Sequence, residues 1–253
     1  MDPIDGSKGF AEGHLEHVTN LIGITVRGRP KIGILHKPFS KGSTRVGRTF
    51  VGSVESGLFF FDQASQDLSI SGPTYVPPFT QQRVDKKTFK PSVISSLNKS
   101  SQSMMDEVMV DLHPRQVTKV AGAGNKFLHM TDERSDFYLN LVPSYKCWDV
   151  CASEAIFASR LGIMSDAKRK PLFYESSRKQ HTFWNGLVAA RNADIYEASS
   201  FQYQSNSGGK TLEDSQLLIR RECHLRRVSK LLTQTNDDAA NAMADQTVLQ
   251  QAL

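Results

Sequence analysis

Asp2-Pro3-Ile4-Asp5-Gly6-Ser7 sets two carboxylates three residues apart, with a Pro and a Gly to hold the turn. Both acids can converge on one cation. The Ile4 carbonyl between them and the Ser7 hydroxyl add further oxygens. Hard oxygen donors of this kind suit Mg²⁺ rather than zinc. A helix starting at Gly6-Ser7 would turn free N–H groups toward a phosphate. An Asp-rich turn with an N-cap reads equally well from these six residues alone.

Outward from that motif, Val18 to Val26 is strand-like, Arg27-Gly28-Arg29-Pro30 a turn, and Lys31 to Leu35 the returning strand of a hairpin. Residues 40–50, with Lys41, Gly42, Ser43, Arg45, Gly47 and Arg48, read as a polar loop. Gly57 to Asp62 and Leu68 to Ile70 read as a strand pair, interrupted afterwards by Pro73, Pro77 and Pro78. Val93 to Ser96 is a short strand. Met104, Met105, Val108, Met109 and Leu112 have helical spacing over Ser101 to His113, and Pro114 ends that helix. Gly122-Ala123-Gly124-Asn125-Lys126 reads as a loop leading into a helix at Phe127 to Met130. Asp136 to Val142 alternates as a strand. Trp148 to Leu161 is helical, with Gly162 expected as its C-cap, and Gly186 to Ala190 is a short apolar strand. From Ser199 a polar tract reads as a linker. Glu213 to Leu232 then reads as an amphipathic helix with a local positive excess, followed by an acidic tail.

Composition bounds the function. The 253 residues carry 31 Lys+Arg against 26 Asp+Glu, a net charge of +5 that is spread out. Nucleic-acid binders concentrate charge on one face, so no DNA or RNA partner is expected. No apolar run is long enough for a membrane span. No signal peptide is read at the N-terminus. Cys147, Cys151 and Cys223 cannot all pair within the chain, and a reduced, cytoplasmic setting is expected.

Three segments in order carry a resemblance. Asp2-Pro3-Ile4-Asp5-Gly6-Ser7, Ala121-Gly122-Ala123-Gly124-Asn125-Lys126 and Trp148-Asp149-Val150-Cys151-Ala152-Ser153-Glu154 together resemble the inositol monophosphatase superfamily, and within it the 3′(2′),5′-bisphosphate nucleotidases. Val18 to Ile24 and Asn185 to Asn192 extend the likeness, which runs to about Ala198. The resemblance implies an α/β (α+β) fold, a layered α-β-α-β-α sandwich incomplete at the N-terminus. It divides the chain into a partial phosphatase domain, residues 1–198, and a polar linker with a helical tail, residues 199–253, whose partner it does not name.

The activity implied is a lithium-sensitive, Mg²⁺-dependent phosphatase. It would remove the 3′-phosphate of 3′-phosphoadenosine 5′-phosphate by a two-metal mechanism. Asp2, Asp5 and Asp149 would ligate metal through carboxylates and Ile4 through its carbonyl. Ser7, with Asp2 and Asp5, would serve catalysis by helping to activate water. Gly6, Ser7, Gly122 and Lys126 would contact the substrate. The family's upstream Glu and Asp have no counterpart, because the motif begins at residue 2. The sequence thus reads as an N-terminally truncated member. The alternatives are an inositol polyphosphate 1-phosphatase and an inactive remnant with a binding role.

Overall fold

A computed structural model describes residues 1–39, 45–64, 70–96, 102–175, 180–215 and 217. Its residues form two sheets with helices between and outside them. The first sheet is a six-strand antiparallel meander in sequence order: β1 (Asp2–Asp5), β2 (Thr19–Val26), β3 (Arg29–Lys37), β4 (Arg45–Ser53), β5 (Gly57–Ala64) and β6 (Thr74–Val76). A five-residue helix α1 (Ser7–Ala11) follows β1. The second sheet is built from β7 (Ser92–Ser96), β8 (Gln116–Val120), β9 (Phe137–Asn140), β10 (Ile163–Ser165) and β11 (Leu187–Ala190), in the order β10-β11-β9-β7-β8. β7 runs parallel to both β8 and β9, and the remaining pairs are antiparallel. Helices α2 (Gln102–Leu112) and α3 (Ala123–Thr131) make the two crossovers; α4 (Cys147–Ser159) and α5 (Ala193–Asn206) follow.

The expected hairpin is present. Arg27 and Gly28 both have positive φ, as a two-residue turn between twisted strands requires. Five expectations change. Residues 45–50 form the start of β4 rather than a loop: Phe50 is buried, and Thr49, Phe50 and Val51 pair with the aromatic run Phe59 to Phe61. The partner of β5 is β6, held between Pro73 and Pro77, with Ile70 only bridging Gln63. Helix α3 begins at Ala123, so the glycine segment is itself helical, with Gly122 as its N-cap. The polar tract after Ser199 continues α5 to Asn206, because Tyr203 is fully buried and anchors that turn. Leu161, not Gly162, takes the positive φ after α4. Gly162 N–H returns to the Phe157 carbonyl and Leu161 N–H to that of Ala158, a Schellman end. The Gln116–Val120 and Ile163–Ser165 strands were not legible, being short and at sheet edges. Residues 41–43, Leu68, Cys223 and most of the expected 213–232 helix lie outside the described residues. The chain divides into two compact units, Met1–Gln216 and Leu217–Leu253.

In the larger unit, α3 and α4 fill the space between the sheets. Toward the meander, Ala152, Ile156 and Leu128 pack on Leu21, Leu35, Phe50 and Leu58. Toward the second sheet, Phe127, Val150 and Phe157 pack with Ile94, Tyr138, Leu187 and Ala189. Helices α2 and α5 pack together, and α5 lies against β9 and β11. All four residues of β9 and of β11 are buried, as expected for strands covered on both faces. The layers run β-α-β-α. No described element supplies the fifth layer on the outer side of the meander.

The seat of α4 is a row of glycines. Gly23, Gly33 and Gly52 are cross-strand neighbours on β2, β3 and β4. A Cβ on Gly23 would lie 2.4 Å from Cys151 Sγ, one on Gly33 2.1 Å from the Ala152 carbonyl oxygen, and one on Gly52 2.8 Å from Ile156 Cα. The helix therefore approaches the sheet backbone to backbone, and this fixes the height of its first turn.

The second sheet is pinned by Asp136, just before β9. Its Oδ2 accepts the Ser92 N–H at 2.9 Å and an Arg115 guanidinium N–H at 2.8 Å, while Arg191 binds Oδ1. Burial works to raise this carboxyl, but the Ser92 and Arg191 bonds outweigh it and hold the group below its ordinary value. A depressed acid gives stability that is present above the unfolded value and is lost as pH falls through the folded one. Acid titration of thermal stability should therefore show a loss below about pH 4 that Asp136→Asn removes. An unchanged acid limb in that variant would rule out this assignment.

Among the described residues, no helix is long and apolar enough to cross a membrane.

Candidate active site

Helix α4 carries Asp149 in its first turn. The helix is capped by Lys146, whose N–H donates to Asp149 Oδ2 at 2.7 Å. Asp149 is thus the third helical residue, where a carboxylate also meets the positive end of the helix. It is not free to relax away from its neighbours. Burial, followed by the Asp2 and Asp5 carboxylates, pushes the Asp149 carboxyl up to about 6. Three acids from two elements far apart in sequence therefore share one region.

Asp5 has a different setting from Asp2. It is buried at the end of β1. Its Oδ2 accepts the Thr19 hydroxyl at 2.8 Å and the Gly124 N–H at 2.7 Å, and its Oδ1 accepts the Ala123 N–H at 3.1 Å. Those two N–H groups are the free donors at the start of α3, which favour an anion. Asp5 therefore clamps the motif onto the glycine segment. Asp2 is half-buried and Ile4 exposed, and Asp2 Oδ1 accepts the Ile4 N–H at 3.2 Å. Among the described residues, no group of three or more His, Cys, Asp or Glu side chains is arranged to hold a metal ion.

Gly6 takes φ 80°, and a Cβ there would lie 2.3 Å from the His17 carbonyl oxygen. The turn into α1 accordingly needs glycine. Ser7 is the first residue of α1 and is exposed. Gly122 also has positive φ, with its α-carbon facing Asp5 Oδ2 and the His17 carbonyl. Four residues on, Lys126 is buried on α3 with its ammonium 5.6 Å from the centre of the Tyr145 ring. Tyr145 shares a 2.5 Å hydroxyl contact with Tyr138. Lys146 Nζ donates to Thr182 Oγ1 at 2.6 Å.

The structure thus draws the three separated sequence segments to one end of α3 and α4. The Inositol monophosphatase family profile matches residues 1–200. The chain belongs to the inositol monophosphatase family.

Among family relatives, rat 3′(2′),5′-bisphosphate nucleotidase 1 is 28% identical over 200 residues, covering 78% of this chain and 58% of that protein. The human protein of the same name is also 28% identical, with the same coverage. Inositol monophosphatase 3 of Xenopus laevis is 26% identical over 202 residues, covering 77% of this chain and 48% of that protein. The chain spans less than two thirds of the length of these relatives. The crystal structure of inositol monophosphatase-II from Staphylococcus aureus has a TM-score of 0.61 at 16% identity, covering 87% of this chain and 70% of that one. That likeness confirms the fold.

Within this candidate site, Thr19, Tyr145 and Lys146 are not singled out by the sequence. Thr19 sits in an apolar strand and reads as one more β-branched residue; only pairing of β1 with β2 sets its hydroxyl against Asp5. Thr19→Val keeps the shape and removes the donor. It should cost about 1.5–3 kcal/mol, the usual range for a hydrogen bond to a charged group. Urea unfolding of the two proteins measures this, and equal midpoints would mean that Asp5 is held by the backbone N–H groups alone.

The cysteine pair carries no reactive thiolate at Cys151. Burial, then Glu154, pushes that thiol up to about 12.

Proposed function

We propose that the chain is a Mg²⁺-dependent phosphoric monoester hydrolase of the bisphosphate nucleotidase type. Its substrate would be 3′-phosphoadenosine 5′-phosphate or a related bisphosphate, attacked at the 3′-phosphate. The observation that carries the proposal is the crowding of Asp2, Asp5 and Asp149, which lifts Asp149 to about 6. Such a concentration of negative charge suits a cation.

The donors fit Mg²⁺ in kind. Asp2 and Asp149 offer carboxylates and Ile4 a carbonyl, and Mg²⁺ is commonly held by one or two carboxylates together with substrate phosphate. Asp5 fits less well, since its oxygens are already engaged by Thr19, Ala123 and Gly124. When bound, the ion supplies charge neutralisation and Lewis-acid polarisation at the phosphate. Asp2, Ile4 and Asp149 hold that charge in place. Gly6 and Ser7 present backbone N–H groups to the scissile phosphate, and the Ser7 hydroxyl orients the attacking water. Attack at phosphorus forms the new P–O bond as the bond to the 3′-oxygen breaks, and that oxygen leaves with a proton from water. Gly122 permits close approach of the nucleotide, and the Lys126 ammonium faces its phosphate. Lithium should inhibit by competing at the same carboxylates.

A second reading has its own observation. Asp5 is occupied structurally, and among the described residues no further His, Cys, Asp or Glu side chain completes a group of three with Asp2 and Asp149. That favours an inactive, nucleotide-binding remnant. Release of inorganic phosphate from adenosine 3′,5′-bisphosphate by the 253-residue chain, with and without Mg²⁺, separates the two.

A further inference from the structure

Lys37 is a charged residue that the proposed site does not use. It ends β3, just before Pro38. Gly33, Leu35 and Lys37 share one face of that strand, because side chains alternate. Gly33 abuts Ala152 on α4, and Leu35 packs in the same core cluster as Leu128 on α3. Lys37 reaches the turn of α3 before Leu128. Its ammonium donates to Asn125 Oδ1 at 2.8 Å and to the Glu16 carbonyl at 3.1 Å. Asn125 Nδ2 donates to the same carbonyl at 3.0 Å, which closes a triangle of polar contacts. Asn125 is buried and Lys37 half-buried. Burial, the largest influence, pulls the Lys37 ammonium below its ordinary value, so these acceptors replace water that it has lost. Glu16 lies in the 3₁₀ turn Leu15–His17. A Cβ on Gly6 would lie 2.3 Å, and one on Gly122 2.8 Å, from the His17 carbonyl oxygen, so one carbonyl is wedged between the two glycine turns. None of the three residues of this wedge is buried, so hydrogen bonds rather than apolar burial hold it in place.

We propose that Lys37 is a positioning residue that selects bisphosphates over simple phosphate monoesters, a role that rests on the bisphosphate reading above. In that reading Gly6 and Ser7 hold the scissile phosphate, while Gly122 and Lys126 face the rest of the nucleotide. Lys37 binds both sides of the junction between these turns. On one side is the Glu16 carbonyl, whose successor His17 abuts Gly6 and Gly122. On the other is the side chain of Asn125, whose helix carries Lys126 and is capped by Gly122. Lys37 thereby sets the distance at which the two phosphates of one substrate are received. A monoester with no second phosphate touches only the turn at Gly6 and Ser7, and is indifferent to that distance. A substrate held at two points suffers when either shifts, and a misplacement of about 1 Å can cost about a hundredfold in rate.

Two measurements on Lys37→Met, which keeps the length and apolar stem and removes the donors, test this. Amide hydrogen exchange reads the wedge without any ligand. The His17 and Val18 N–H groups, which donate to the His14 and Leu15 carbonyls, should exchange about tenfold faster. Calorimetric titration with Mg²⁺ present reads the selection. Affinity for adenosine 3′,5′-bisphosphate should fall about tenfold, and affinity for glycerol 2-phosphate by less than about twofold. Lys37→Arg keeps a cation with several N–H donors, and should restore bisphosphate affinity to within about threefold of wild type. Unchanged exchange in Lys37→Met overturns the proposal. So does an equal loss for both ligands, or no recovery in Lys37→Arg; each of these leaves the bisphosphate reading standing. A wild-type chain that binds neither ligand overturns that reading, and the selection with it.

Discussion

Gly33→Val should destabilise the fold by about 3 kcal/mol or more, and lower the thermal midpoint by about 6–12 °C for a chain of this size. A Cβ at position 33 lies 2.1 Å from the Ala152 carbonyl oxygen, 2.9 Å from its carbonyl carbon and 3.1 Å from its Cα. All three contacts are backbone, so no side-chain rotation relieves them. Helix α4 has to lift off the sheet, and it takes with it Ala152 and Ile156, which close the core on Leu21, Leu35 and Phe50. It also carries Asp149, so the same substitution should disturb the site. Gly52→Ala, where the nearest contact is 2.8 Å, should cost less. Chemical denaturation of the three proteins checks the order. A Gly33→Val protein as stable as wild type would mean that α4 is not seated as described.

Lys126→Met should act in opposite directions on binding and on stability. The lysine is buried, and among the described residues its ammonium faces the Tyr145 ring rather than a carboxylate. A buried charge of this kind is costly to fold and suited to an incoming anion. Methionine keeps the length and apolar stem, so folding stability should hold or rise. Affinity for adenosine 3′,5′-bisphosphate should fall by about thirtyfold or more, since losing one partner of a buried charge pair costs at least about 2 kcal/mol. Calorimetric titration beside thermal unfolding reads both quantities. Unchanged affinity would place the phosphate elsewhere.

Much of the candidate site can be read from the sequence because its residues are local in sequence. Asp2 to Ser7, Gly122 to Lys126 and Trp148-Asp149 each form a short segment with its own turn or helix chemistry. What stayed hidden depends on pairing. Gly23, Gly33 and Gly52 are isolated glycines in separate strands, and only the register aligns them into a seat. The role of Asp5 changed for the same reason. Its spacing from Asp2 points to a shared cation, but β1 pairing with β2 gives its oxygens to Thr19 and α3 instead. The strand at Arg45–Ser53 was misread because polar and glycine residues dominate its first half, while the aromatic partners that stabilise it stand a dozen residues later. Conversely, the buried strands β7, β9 and β11 are legible in the sequence, β9 from its alternation and β7 and β11 from short β-branched or apolar runs, signals that need no partner to be recognised.

As proposed above, Asp2, Ile4 and Asp149 make a working cation site in this chain. Steady-state phosphate release from adenosine 3′,5′-bisphosphate tests it most directly, measured for wild type and Asp149→Asn across a Mg²⁺ titration. Release should require Mg²⁺, fall with Li⁺, and drop by about a hundredfold or more in Asp149→Asn. No release from the wild-type chain at any Mg²⁺ concentration, or release that Asp149→Asn leaves intact, would contradict it.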